Sequence, residues 1–248
     1  MTKLPTKLGK EPLIDVVFEL RFDSQMPAST LLPGLLVAQL QGLHDVKIER
    51  LPTADLPAKL RESDPSLRYM PLVILPWNGF LISVGDRSLS VACPPPYRGW
   101  VEFKEAIIQV VSAIKSAPYI LSIERHGLKY VDFLNISDPA EQLASINLEF
   151  SVGKHRLKEE TFLSRMEIPD GRFVKIIQIV SKAVVNFADG EKNGLVVDID
   201  VVCPLEISLE VYLSNLGDEM EEIHTLNKET FFDCLKPFTI DALEPNYE

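Results

Sequence analysis

Asp198 and Asp200 are the residues whose types and spacing come nearest to chemistry, in the run Val197-Asp198-Ile199-Asp200-Val201. Side chains two apart in a strand share a face, so both carboxylates stand on one side and Val197, Ile199 and Val201 on the other. Carboxylates about 6–7 Å apart could hold a magnesium ion or act as an acid/base pair. A second group lies in Tyr119–Asn135, Y-I-L-S-I-E-R-H-G-L-K-Y-V-D-F-L-N, where Arg125, His126 and Lys129 come close together. Arg125 and Lys129 are four apart and share a strand face. If the two strands are neighbours, Asp198 and Asp200 meet Arg125 and Lys129 in a cross-strand charge ladder, worth ~0.2–1 kcal/mol per pair. The ladder accounts for all four residues without catalysis and is the preferred reading. A ligand or divalent-metal site on the same exposed face, with His126 as a further donor, is the alternative.

Other chemistry has little support. His44, His126, His155 and His224 form no H-x-H and no H-E-x-x-H, and His126 reads first as a packed or solvent-facing sheet residue. Cys93, Cys203 and Cys234 are far apart with no C-x-x-C, and read as small buried residues of a reducing compartment. No phosphate-cradling G-x-x-x-x-G-K-[ST], G-x-G-x-x-G or G-x-S-x-G occurs. Tyr97, Trp100 and Phe103 read as helix-to-sheet anchors in preference to a pocket wall. No cofactor and no catalytic residue is assigned, and the balance leans away from an enzyme.

Charge narrows the partners. The 248 residues carry a formal net charge of −11, which opposes nucleic-acid binding through lysine and arginine. Most of the imbalance is C-terminal: from Glu206 to Glu248 eleven acidic residues face only Lys228 and Lys236. A solvated helix face explains this run in the simplest way. The same face could steer a basic protein partner, with Glu219, Glu221 and Glu222 as the candidate contacts. Apolar runs are far shorter than the ~20 residues of a membrane-spanning helix, and Asp15 and Glu19 interrupt the segment after the N-terminal lysines. The expectation is a soluble, cytoplasmic protein that binds neither nucleic acid nor membrane.

The elements that position these residues follow from periodicity. Pro12–Asp23 reads as a strand, a helix follows and ends near Gly42, and Asp45–Leu51 alternates as a half-buried strand. Pro52–Ser66 reads as a loop before strands over Leu67–Leu75, Gly79–Val84 and Ser88–Cys93. The prolines Pro94, Pro95 and Pro96 stop the sheet, and Trp100, Phe103, Ile107, Val110, Val111 and Ile114 mark a helix. From Tyr119 the order recurs: a long strand, a short helix after Asp138-Pro139, strands over Ile146–Val152, Phe162–Ile168, Arg172–Val184 and Leu195–Val202, then closure at Pro204. Leu209, Leu213, Leu216, Met220 and Ile223 give the acidic C-terminal helix, and Phe231, Phe232 and Leu235 a further turn or second helix. The expected fold is α+β: two tandem β-α-β4-α modules, residues 1–117 and 118–248, with antiparallel sheets and helices on one face. This arrangement resembles the saddle-like repeat of TATA-binding-protein-like and helix-grip folds, from which no function follows.

Several short motifs also carry a family resemblance in their order and spacing. They are Pro12-Leu13-Ile14-Asp15 with Glu19-Leu20-Arg21-Phe22, Tyr97-Arg98-Gly99-Trp100 with Phe103, Arg125-His126-Gly127-Leu128-Lys129-Tyr130, Asp198-Ile199-Asp200, and Ile223-His224 with Phe231-Phe232. Together they resemble a sporadically distributed prokaryotic family of about this length, defined by a sequence profile and of unknown function. The resemblance implies a compact prokaryotic protein and supplies no site residues. Its sporadic distribution suggests a binding protein of a defence or toxin-neutralising locus, with a homodimer compatible with either reading of the site.

Overall fold

Val16, Phe18, Leu20 and Phe22 alternate with Val17, Glu19, Arg21 and Asp23, and Leu13–Ser24 forms a strand that buries the first set and leaves the second half-buried. The computed structural model describes residues 4–42 and 47–247. In chain order the strands are β1 (Lys7–Leu8), β2 (Leu13–Ser24), β3 (Glu49–Arg50), β4 (Pro71–Trp77), β5 (Phe80–Gly85), β6 (Ser88–Ala92), β7 (Ile120–Leu134), β8 (Ser151–Val152), β9 (His155–Arg156), β10 (Leu163–Asp170), β11 (Phe173–Phe187), β12 (Gly190–Ile207) and β13 (Pro245–Asn246). The helices are α1 (Leu32–Gln39), α2 (Ala58–Ser63), α3 (Trp100–Ala113), α4 (Pro139–Ala144), α5 (Leu209–Cys234) and α6 (Pro237–Ala242). The fold is mixed α+β. Among the described residues nine strands form one antiparallel sheet in the order β10-β11-β12-β7-β2-β6-β5-β4-β3, and β1–β13 and β8–β9 form two-stranded ribbons. No helix among the described residues is long and apolar enough to cross a membrane.

The chain divides into two compact units, one of Met1–Ile14, Lys129–Val201 and His224–Glu248, the other of Asp15–Leu128 and Val202–Ile223. In the second, Phe18 and Leu20 of β2, Ile82 and Val84 of β5, and Leu89 and Val91 of β6 build the core with Phe103, Ile107 and Val110 of α3. Phe103 stacks on Phe80 at 6.1 Å between ring centroids, and Tyr97 and Trp100 meet it edge-on at 6.3 and 6.5 Å. The aromatic trio thus anchors helix to sheet. Gly99, at φ 90°, turns the chain into α3 through a conformation that other residues seldom adopt.

In the first unit, β10 and β11 form a hairpin whose last pair, Asp170 and Phe173, closes over Gly171-Arg172. Leu195, Val197, Ile199 and Val201 of β12 are buried in its core with Phe133, Leu134, Ile177 and Ile179. Asp138 caps α4, its Oδ1 accepting from the N–H groups of Ala140 and Glu141 at 2.8 and 3.2 Å.

Several expected elements differ. The strand over Ile146–Val152 does not form; Ile146 makes an isolated bridge to Leu235, and only Ser151–Val152 pairs, in the β8–β9 ribbon. The cause lies at the end of α5, where Asn147 donates from its backbone N–H to Cys234 O (2.8 Å) and from Nδ2 to Asp233 O and Leu235 O. This segment satisfies carbonyls that a helix end leaves open. One of the sheet strands expected for a second β-α-β4-α module is therefore absent among the described residues. Pro204 does not close the sheet, because it lies exposed inside β12, where its missing N–H is tolerated. Pro52–Ser66 holds a 3-10 turn and α2, and Asp64 O accepts from Leu67 N and Arg68 N, so β4 starts only at Pro71. Of the strand expected over Asp45–Leu51, Glu49–Arg50 forms β3, while Asp45, Val46 and the nearby His44 lie outside the described residues. The C-terminal helix is one element of 26 residues, followed by α6.

Candidate metal centre

Side chains on opposite faces of β7 have different fates. Lys129 Nζ pairs with Asp198 Oδ2 at 2.7 Å, which meets half of the expected ladder. Arg125 Nη2 contacts Glu19 Oε1 of β2 at 2.8 Å, an oxygen that also accepts from Arg21 Nε at 2.5 Å. Arg21 in turn lies over the Tyr69 ring, 4.4 Å from its centroid, and Tyr69 Oη donates to Glu124 Oε2 at 2.8 Å. Asp200 is half-buried and alternates with buried Ile199 and Val201, as Asp198 does.

His126 differs in parity from Lys129, and Cys203 from Asp198, so both project to the opposite side. There His126 and Cys203 are fully buried. Glu219 joins them from α5, where it lies three residues after Leu216 and four before Ile223, on the stripe that the helix buries. Its side chain is only 15% exposed, and Oε2 lies 3.6 Å from His126 Nε2. One donor atom each from His126, Cys203 and Glu219 lies within 4.8 Å of the others. The imidazole–carboxylate spacing is longer than a charge-assisted hydrogen bond. It is close to the ~3.4 Å edge of a tetrahedron drawn around an ion roughly 2.0–2.1 Å from each donor.

Tyr212 completes the wall. Its ring centroid is 5.6 Å from that of His126 and it is fully buried. Burial, then the charges of Glu219 and Cys203, hold its phenol well above the ordinary tyrosine range. Its hydroxyl makes no hydrogen bond among the described residues. A nitrogen, a sulfur and a carboxylate oxygen form a borderline donor set that suits Zn²⁺ better than Mg²⁺, which prefers oxygen alone.

The acidic-helix candidates separate in the same way. Glu219 faces inward, and Glu221 accepts from Trp100 Nε1 at 3.1 Å and pairs with Lys104 Nζ at 2.7 Å. Glu222 is exposed. Two further histidines make other contacts: His155 pairs with Glu160 at 2.7 Å, and His224 Nδ1 lies 3.2 Å from Tyr130 Oη. A cavity of about 260 Å³ near the β5–β6 turn is lined by Arg61, Arg68 and Arg87, but Arg61 already pairs with Asp86, Arg87 with Asp23 and Arg68 with Glu124.

Sequence reasoning placed His126 among the metal candidates but missed Cys203, and assigned Glu219 to a solvent-facing role. The available signal was parity: extending the register that sets Asp198 beside Lys129 brings His126 toward the Cys203 end of β12, on the other face. Protein-family models and curated proteins offer no match to the chain.

Proposed function

We propose that this is a metal-binding protein whose site is the buried trio His126, Cys203 and Glu219, with Zn²⁺ the ion best suited to the donors. The convergence of the three donor atoms within 4.8 Å carries this reading. The metal site thereby moves from the exposed sheet face with Asp198 and Asp200 to the helix-covered side. An ion there would link β7, β12 and α5, the role of a structural centre.

We further propose that residues 1–117 and 118–248 are an internal duplication, a reading that would favour the metal site. β6, β5 and β4 run outward from β2 as β12, β11 and β10 run outward from β7, and β3 adds a fourth strand on the first side alone. Val91-Ala92-Cys93-Pro94 and Val201-Val202-Cys203-Pro204 correspond, and each cysteine Sγ donates to the carbonyl of the proline after it at 3.8 Å. Matching Leu20-Arg21-Phe22 to Leu128-Lys129-Tyr130 sets His126 in the place of Phe18, and both are fully buried. A position filled by phenylalanine in one half does not need imidazole for packing, so the polarity of the second half asks for another cause.

The test is cobalt titration of metal-free protein. One equivalent per chain should produce a near-ultraviolet thiolate-to-cobalt charge-transfer band. Cys203→Ser and His126→Ala should abolish it, and Cys93→Ala should leave it. Absence of the band, together with no stoichiometric zinc in protein from the native host, would remove the proposal.

A second reading, an interaction protein engaging a basic partner in a defence or toxin-neutralising setting, draws on the exposed Asp218 and Glu222 of α5. Pull-down from the native host with Asp218→Lys and Glu222→Lys tests it. An unchanged set of captured proteins would exclude the helix.

A further inference from the structure

β10 occupies one edge of the nine-stranded sheet and, among the described residues, pairs only with β11. Just before it, Phe162 O accepts from Ser181 N at 3.0 Å, so the residue preceding the strand turns its carbonyl toward β11. Backbone groups alternate along a strand, and those of Leu163, Arg165 and Glu167 therefore point away from β11, toward the open edge. Leu163, Met166 and Ile168 are 64%, 38% and 39% exposed. An edge of eight residues with outward backbone groups and exposed apolar side chains is a template for another strand.

We propose that a second copy of this chain pairs antiparallel along β10, with the two-fold axis at Met166. In that register Arg165 faces Glu167 of the partner subunit, and Glu167 faces Arg165 of the partner subunit. Both belong to the outward set, so each opposed pair exchanges two backbone hydrogen bonds. The Arg165–Glu167 ion pair within one chain extends into a two-by-two cluster of alternating charges. On the other face Met166 meets its own copy, flanked by Ile168. Moving the axis by one residue to Arg165 or Glu167 sets like charges against each other, so only one register is favoured. Pro169 lacks an N–H and ends the shared ladder on each side.

The test is sedimentation equilibrium, with thermal melting as a check of the fold. The wild type should dimerise. Arg165→Glu should weaken the dimer about tenfold or more, because two opposed pairs become repulsive. The exchange Arg165→Glu with Glu167→Arg should restore it. Met166→Cys should cross-link under mild oxidation, since directly opposed residues between hydrogen-bonded pairs sit ~4.5 Å apart, within disulfide range. Ile168→Cys should not, because the two copies would stand about 13 Å apart. A protein monomeric at every concentration, a defect that the charge exchange fails to repair, or equal cross-linking at 166 and 168 would overturn the proposal.

Discussion

Lys129 Nζ of β7 and Asp198 Oδ2 of β12 are 2.7 Å apart, with side chains 40% and 13% exposed. Removing one partner of a half-buried pair costs more than at the surface, because the carboxylate has lost much of its water and is left without its counter-charge. Lys129→Met should lower unfolding stability by about 1 kcal/mol in urea denaturation. Since the lysine already answers the carboxylate, magnesium should leave the wild-type midpoint unchanged.

Asp132, near the end of the same strand, is buried, and its pKa is pushed up to about 8 by burial first, then by the charges of Glu11 and Asp198. In the folded protein it keeps its proton at neutral pH, whereas in the unfolded chain it ionises near the ordinary aspartate value. Its contribution to stability is therefore full in acid, falls as pH rises above the unfolded value, and is lost once pH passes about 8. Asp132→Asn should remove this slope and stabilise the protein at pH 8 by about 1–3 kcal/mol, measured by urea unfolding across the pH range.

Tyr212 gives a prediction whose sign depends on the ion. Its buried hydroxyl makes no hydrogen bond among the described residues, and such a group is costly. In metal-free protein Tyr212→Phe should raise stability by about 1 kcal/mol. If the hydroxyl contacts the ion, the gain should shrink or reverse in zinc-loaded protein, which paired thermal melts would reveal.

Glu221 ties α5 to α3 through Trp100 Nε1 and Lys104 Nζ. Glu221→Gln should cost less than about 1 kcal/mol, because the pair is partly solvated. It should nevertheless change the emission of Trp100, whose indole N–H loses a charged acceptor. A Trp77→Phe background isolates that signal.

Alternation and helical spacing alone determine much of this chain. β2, β7, β10, β11 and β12 are legible because each shows a period of two or a hairpin turn, and α3 and the start of α5 because apolar residues recur at three and four. The Val-Ala-Cys-Pro and Val-Val-Cys-Pro echo is also present in the letters. Periodicity states which face a side chain takes and is silent on which neighbour waits there. Arg125 meets Glu19 of β2, while Lys129 on the same strand meets Asp198 of β12. The backbone of Asn147 serves the end of α5 instead of a strand ladder. His126, Cys203 and Glu219 stand far apart in sequence, and each by itself suits an ordinary sheet or helix position. Only strand register and the seating of α5 bring their three donor atoms together, because these are long-range choices that no local pattern encodes.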